Sequence, residues 1–189
     1  MSRPGGRERE PEPVGATFTS RHPGKRDPIP GHRALRKGRA SVENAAYCVT
    51  SCAESRRPVF ASSEAAEILI GGIRWLRETG RIWILGYVIM PDHVHLLFAL
   101  RAGASLPTVM QAWKSFTARD LCRECGALAP VRQRGYYDHM IRDTKDLWVR
   151  LDYMHHNPVR KHLVETAQEY RFSTAHPSCA GDVDAWWMV

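Results

Sequence analysis

The sequence predicts an α+β fold, an antiparallel sheet with helices packed on one face. Three observations lead there. Segments of β-type character and segments of helical periodicity follow each other in the order β-α-β-β-α-β-α. Two of the β-type runs, "RIWILGYVIM" and "HVHLLFAL", are separated only by Pro91-Asp92, which suits a tight turn with proline at its second position. The apolar share is 43% of 189 residues, enough for a core, while no uninterrupted apolar run reaches the roughly 18 residues of a membrane span.

The first segment stands outside that domain. Residues 1–40 hold ten Lys/Arg, four Asp/Glu and six of the twelve prolines, with almost no large apolar residues. Of the net charge of +7, +6 therefore lies there. We expect residues 1–38 to be a disordered basic arm, either laid on a polyanion or simply solvated. The domain is expected over 39–178 and a C-terminal tail over 179–189.

Within the domain, "NAAYCVTSCA" (44–53) reads as the first strand. Residues 62–80 read as a helix, with serines at its start, a glutamate in its first turn and Gly80 at its stop. Ala65, Ile68, Leu69, Ile73 and Leu76 recur there at helical spacing, so one face belongs to the core. The two β-type runs follow. Residues 105–125 form a second helix, capped by Ser105, with proline in the first turn and Gly126 after it. Val109, Trp113, Phe116 and Leu121 face inward. Residues 134–142 read as a further strand, and a third helix starts at Asp143 or Thr144 and stops at Pro158.

Five scattered cysteines, an odd count, suit a reducing cytoplasm, and the polar N-terminus shows no signal peptide. Cys48/Cys52 and Cys122/Cys125 are spaced pairs without knuckle glycines, and we read them as core or surface thiols rather than a zinc site.

The chemistry concentrates in two places. Side chains alternate along a strand, so His93 and His95 project to one side with Leu97 and Ala99, and Val94, Leu96, Phe98 and Leu100 to the other. Two imidazoles at i and i+2 can converge on a divalent metal. A bare His-x-His also fits two half-buried histidines at a strand end. The second place is "LDYMHHNPVRKHLV" (151–164), where Tyr153 and Asn157 stand at i and i+4. A phenol, with a reference pKa of about 10, is a weak nucleophile while protonated. A metal on the phosphate it attacks would stabilise the developing charge, and Asn157 Oδ1 is a third candidate ligand. Asn157 precedes proline, which disfavours an ideal helical geometry there.

"PDHVHLL", "WKSFTARDL", "RGYYDHMIRDTKDL" and "YMHHNPVRKHLV", in this order and at these separations, resemble the single-tyrosine HUH (IS200-like) transposases. The branch they are most similar to is the REP-associated tyrosine transposases, linked to repetitive extragenic palindromes. "LRKGRAS" and "YCVTSCAESRRPVF", within 35–60, resemble the start of that branch, and the likeness extends to about residue 175. The resemblance implies a ferredoxin-like sheet and Mg²⁺ or Mn²⁺ at His93, His95 and Asn157. It also implies Tyr153 as the nucleophile that cleaves single-stranded DNA, leaving a 5′-phosphotyrosine and a free 3′-OH. Nitrogen ligands lean toward Mn²⁺. The family usually carries a tryptophan where Arg132 stands here, and "YRFSTAHPS" (170–178) is a modified form of a tail stretch. Arg134, Arg142, Arg160, Lys161 and Arg171 are candidates for phosphate contact, and Tyr136, Tyr137 and Trp113 for base stacking.

Two functions remain in competition. One is a metal-dependent endonuclease and strand transferase acting on hairpin single-stranded DNA in the bacterial cytoplasm, at the nucleoid, as a monomer or a homodimer. The other is a non-catalytic binder of palindromic hairpins on the same fold. A histidine-triad nucleotide hydrolase is set aside, because Leu97 stands where a third alternate histidine is needed.

Overall fold

A computed structural model describes residues 41–185, and the basic arm expected over 1–38 lies outside them. Among the described residues, four strands pair antiparallel: β1 (Ala46–Cys52), β2 (Ile82–Met90), β3 (His93–Leu100) and β4 (Tyr137–Met140). Their spatial order is β2-β3-β1-β4, which with helices α1 (Ser63–Glu78) and α2 (Leu106–Glu124) makes the ferredoxin-like arrangement. Helices α3 (Thr144–His155), α4 (Asn157–Arg160) and α5 (Pro177–Ala180) follow. No helix among the described residues is long and apolar enough to cross a membrane.

Local signals account for the helix starts. Ser62 Oγ accepts from the Ala65 amide at 3.1 Å, and Asp143 Oδ1 accepts from the Asp146 amide at 2.8 Å. Ser105 and Thr108 form a reciprocal box at the start of α2. Gly72 lets α1 and α2 meet. A Cβ on it would lie 2.3 Å from Thr117 Cγ2 and 3.0 Å from Trp113 Cδ1, so α2 can sit this close only against a glycine.

The α+β sandwich stands, with one correction to the expectation of helices on a single face. Helices α1 and α2 cover one face of the sheet, packing Leu69, Ile73, Val109 and Trp113 on Val49, Leu96 and Phe98. Helix α3 covers the other face, packing Leu147, Leu151 and Met154 against Leu85, Val88, Leu97 and Ala99. The physical reason is visible in β3, where all eight residues are buried. A central strand apolar on both sides needs cover on both sides.

The two sheet edges differ. Along β2, Ile89 N donates to Phe172 O, Thr174 N to Tyr87 O and Asp184 N to Ile84 O, so the chain after α4 straps that edge. Residues 179–185, expected as part of a tail, are tied down there. Asp182 is buried and takes Arg74 and, at 2.6 Å, the Tyr87 hydroxyl. Among the described residues the outer edge of β4 has no such strap, and its Tyr137 and Met140 are exposed.

Candidate metal and tyrosine site

Strand β3 begins with both histidines, and the pleat turns them to the α3 face with Leu97 and Ala99. The rings are 6% and 8% exposed. Their Nε2 atoms lie 3.1 Å apart and the ring planes are perpendicular, so the two ring edges meet at one point.

Each ring is held by its other nitrogen. The register places Thr50 of β1 opposite His95, and Thr50 Oγ1 lies 3.0 Å from His95 Nδ1. Asp92 Oδ1 lies 2.5 Å from His93 Nδ1, and Arg56 Nη1 donates to Asp92 Oδ2 at 3.2 Å. With Nδ1–H donating in each ring, both Nε2 atoms keep a lone pair for the shared point. Burial pushes the His93 pKa below its ordinary value, against the pull of Asp92, and pushes that of His95 down to about 3. Both rings are therefore neutral near pH 7, the form that ligates a metal.

Asn157 completes the cluster. It is 8% exposed, and its Nδ2 lies 2.6 Å from His95 Nε2 and 3.3 Å from His93 Nε2. In that orientation the amide donates to both lone pairs and satisfies the cluster unaided. Turned by half a rotation, the same amide offers Oδ1 at the same place. The set is then two imidazole nitrogens and one amide oxygen, which fits a divalent cation with positions left open for phosphate oxygens or water. Among the described residues, no group of three or more His, Cys, Asp or Glu side chains is placed to hold a metal, so the candidate set depends on Asn157. All five cysteines are free.

Backbone packing brings Asn157 to the histidines. Strand β2 is irregular between Ile84 and Gly86, and α3 lies against it there. A Cβ on Gly86 would sit 2.6 Å from Leu151 Cδ1 and 2.7 Å from Met154 Cε, so glycine sets how closely α3 approaches. The expected stop at Pro158 is a break instead. Helix α3 ends at His155, His156 makes the joint, and α4 starts at Asn157 with proline in its first turn. Tyr153 and Asn157 thus belong to successive helices rather than to one ideal face.

Tyr153 is 57% exposed, and its phenol makes no hydrogen bond to either histidine ring. The Arg160 guanidinium lies 3.9 Å from its ring centroid, and Arg160 Nη2 donates to the Tyr153 carbonyl, a group left over at the end of α3. Arg160, expected as a phosphate contact, is therefore engaged with the tyrosine. The positive charges of Arg160 and Lys161 also reach the histidine pair and help hold His95 and His93 neutral.

The other predicted residues lie elsewhere. Arg134, Tyr136, Tyr137 and Arg142 line a separate cleft beside α2 and β4. Arg171 faces Glu67 of α1 at 3.6 Å. Trp113 is fully buried with its Nε1 donating to Leu69 O, which removes it from the base-stacking candidates. His139 bonds Asp146, His155 bonds Thr174 and His156 bonds Asp152, so these three histidines stand apart from the pair. Asp92 and Thr50 were absent from the sequence expectations. Asp92 was legible as the neighbour of His93, whereas Thr50 depends on a strand register that the sequence does not display.

Residues 41–157 match the family described as Transposase IS200 like. A Haemophilus influenzae relative is 32% identical over 105 residues, 50% of this chain and 60% of its own. An Escherichia coli relative named REP-associated tyrosine transposase is 30% identical over 97 residues, 51% of this chain and 56% of its own. The chain thus spans less than two thirds of the length of these curated relatives. A solved REP-associated tyrosine transposase bound to a REP hairpin aligns with a TM-score of 0.64 and 22% identity, covering 78% of this chain and 87% of that one. What is shared at that identity is the fold.

Proposed function

This chain belongs to the IS200-like transposase family, and from that premise we propose that it cleaves and rejoins single-stranded hairpin DNA, such as repetitive extragenic palindromes, with Tyr153 as nucleophile. The observation that carries the reading is the meeting of His93 Nε2, His95 Nε2 and the Asn157 amide, with Tyr153 four residues before that amide, near the end of α3.

Transposases of this family generally use a divalent metal, which when bound supplies positive charge to the scissile phosphate and the leaving oxygen. The chain's own groups do the rest. His93 and His95, locked by Asp92 and Thr50, keep their Nε2 lone pairs fixed and uncharged. Asn157 completes the donor set. The Tyr153 oxygen forms a bond to phosphorus as the bond from phosphorus to the 3′ oxygen breaks. The phenol proton leaves to solvent, and the departing oxygen takes one up as a 3′-OH. The 5′-phosphotyrosine keeps the energy of the broken phosphodiester, so a 3′-OH can reverse the step and join strands. Arg160, stacked over the phenol ring and bonded to the Tyr153 carbonyl, steadies the end of α3.

The test is a covalent adduct. Labelled hairpin DNA is incubated with the protein and Mn²⁺ and run on a denaturing protein gel. The expected result is a shifted band that disappears in Tyr153→Phe and with chelator. Binding across several hairpins without any adduct would leave the non-catalytic reading in its place.

A further inference from the structure

The opposite side of the sheet carries a second polar feature that the cleavage reading does not use. The cleft beside α2 and β4 has a volume of about 1360 Å³, and Arg132 lines it. Arg132 is only 6% exposed. Three buried side-chain atoms have no hydrogen-bond partner among the described residues, and two of them are Arg132 Nε and Nη2. The third donor nitrogen, Nη1, gives one long bond to Lys114 O at 3.3 Å. The guanidinium plane is held instead by aromatic rings, with Cζ 4.4 Å from the Trp113 centroid and 5.3 Å from that of Phe60. Burial lowers the Arg132 pKa to about 9 with no carboxylate to offset it, so the group stays a cation near pH 7 at a cost.

We propose that this cleft takes an unpaired nucleobase of a bound DNA strand, one that offers two adjacent acceptors to the Nε–Nη2 edge of Arg132. This rests on the DNA reading above and adds base selectivity to it. Nε and Nη2 lie on one edge of the guanidinium and present parallel N–H groups. Guanine meets that edge with O6 and N7, and unpaired cytosine meets it with N3 and O2. Adenine and thymine offer an acceptor beside a donor or a methyl group on each edge, and one N–H would stay unpaired.

A base suits the depth of the cleft better than a phosphate does. Apolar Val131 and Met110 line the cleft beside Arg132, whose guanidinium lies on the Trp113 ring. The charged groups that a backbone would need stand at the rim, where Arg119, Arg134 and Arg142 are exposed. A planar, uncharged ring reaching Arg132 would leave its phosphates at that rim. Arg132 is held at this depth by the backbone. It bridges Ala53 at the end of β1, and Gln133 N donates to Cys52 O. Lys114 Nζ fixes the following loop through Gln133 O and Gly135 O.

The experiment uses the full chain and twelve-nucleotide thymidine strands carrying one central guanine, cytosine, adenine or 7-deazaguanine, with affinity read by fluorescence anisotropy. The expected result is that guanine or cytosine tightens binding about tenfold over the all-thymidine strand, while adenine does not. If guanine is the base, 7-deazaguanine loses the gain. Arg132→Met should remove the gain and leave the all-thymidine affinity unchanged. Arg132→Lys keeps the charge but not the two-donor edge, and should also remove it. Mn²⁺ binding at the histidine pair reports that either variant is folded, and the lysine variant carries the test if the methionine one is not. Equal weakening on every strand, with a shallower salt dependence, would make Arg132 a phosphate contact and overturn the proposal. So would a wild-type protein that binds hairpins but ignores the central base. A wild-type protein that binds neither strands nor hairpins would overturn the DNA reading along with it.

Discussion

The histidine cluster and the Arg132 cleft lie on opposite faces of one sheet and are both buried and polar, yet they are built in opposite ways. Around His93 and His95 each ring nitrogen has a partner, because Asp92, Thr50 and Asn157 supply one for each position. Around Arg132 two of three nitrogens have none among the described residues. The first arrangement is self-consistent without a ligand and becomes a ligand set when one amide turns over. The second is a charge held in an apolar setting by rings and backbone. A closed network stabilises the empty protein, whereas an open one leaves free energy to be recovered on binding.

Replacing a candidate ligand should separate the two regions most sharply. His93→Ala is expected to weaken Mn²⁺ binding by more than about 100-fold in calorimetry, while affinity for an all-thymidine strand stays unchanged. A parallel fall in both would mean that the regions act as one. Next come the orienting groups. Asp92→Asn and Thr50→Val should each lower Mn²⁺ affinity by about 10–100-fold without unfolding the protein. Wild-type affinity in both would mean that ring orientation is set by packing alone. The stability contrast is smaller and differs in sign. Asn157→Ala leaves two buried ring nitrogens unpartnered and should cost about 1–3 kcal/mol in urea unfolding. Arg132→Met removes an unpaired buried charge and should leave the ligand-free protein unchanged or more stable. Destabilisation by both would erase the distinction drawn here. The smallest effect concerns the rim. Arg142→Ala should reduce the dependence of log affinity on log salt for single strands by about 0.7. An unaltered slope would take Arg142 out of the phosphate contacts.

Much of this architecture was readable along the chain. The four strands and first three helices lie where alternation, helical spacing and caps put them, with ends moved by no more than three residues and the largest trimming in β4. There only Tyr137–Met140 pairs, out of the run expected over 134–142. Its partner β1 has β3 on its other side, and the residues before Tyr137 turn away to frame the cleft. The shared face of His93 and His95 follows from the two-residue period alone, and their ordinal place after Pro91-Asp92 follows from the turn. Trp113 shows where such reading fails. An aromatic residue on an amphipathic helix looks the same whether it stacks on a base or fills the contact with α1, and Gly72, forty-one positions earlier, settles the matter.

Helical and strand periods, caps and turn residues act over a few positions, so the order of elements and the side each histidine takes were already written in the chain. Cross-strand register, the seating of α3 on Gly86, the approach of Asn157 and the orphaned donors of Arg132 join residues tens of positions apart. Such contacts arise only when the chain closes on itself and competing packings are compared in three dimensions. That is why the histidine pair was visible beforehand, while the groups that hold it, and the buried cation across the sheet, emerged from the folded protein.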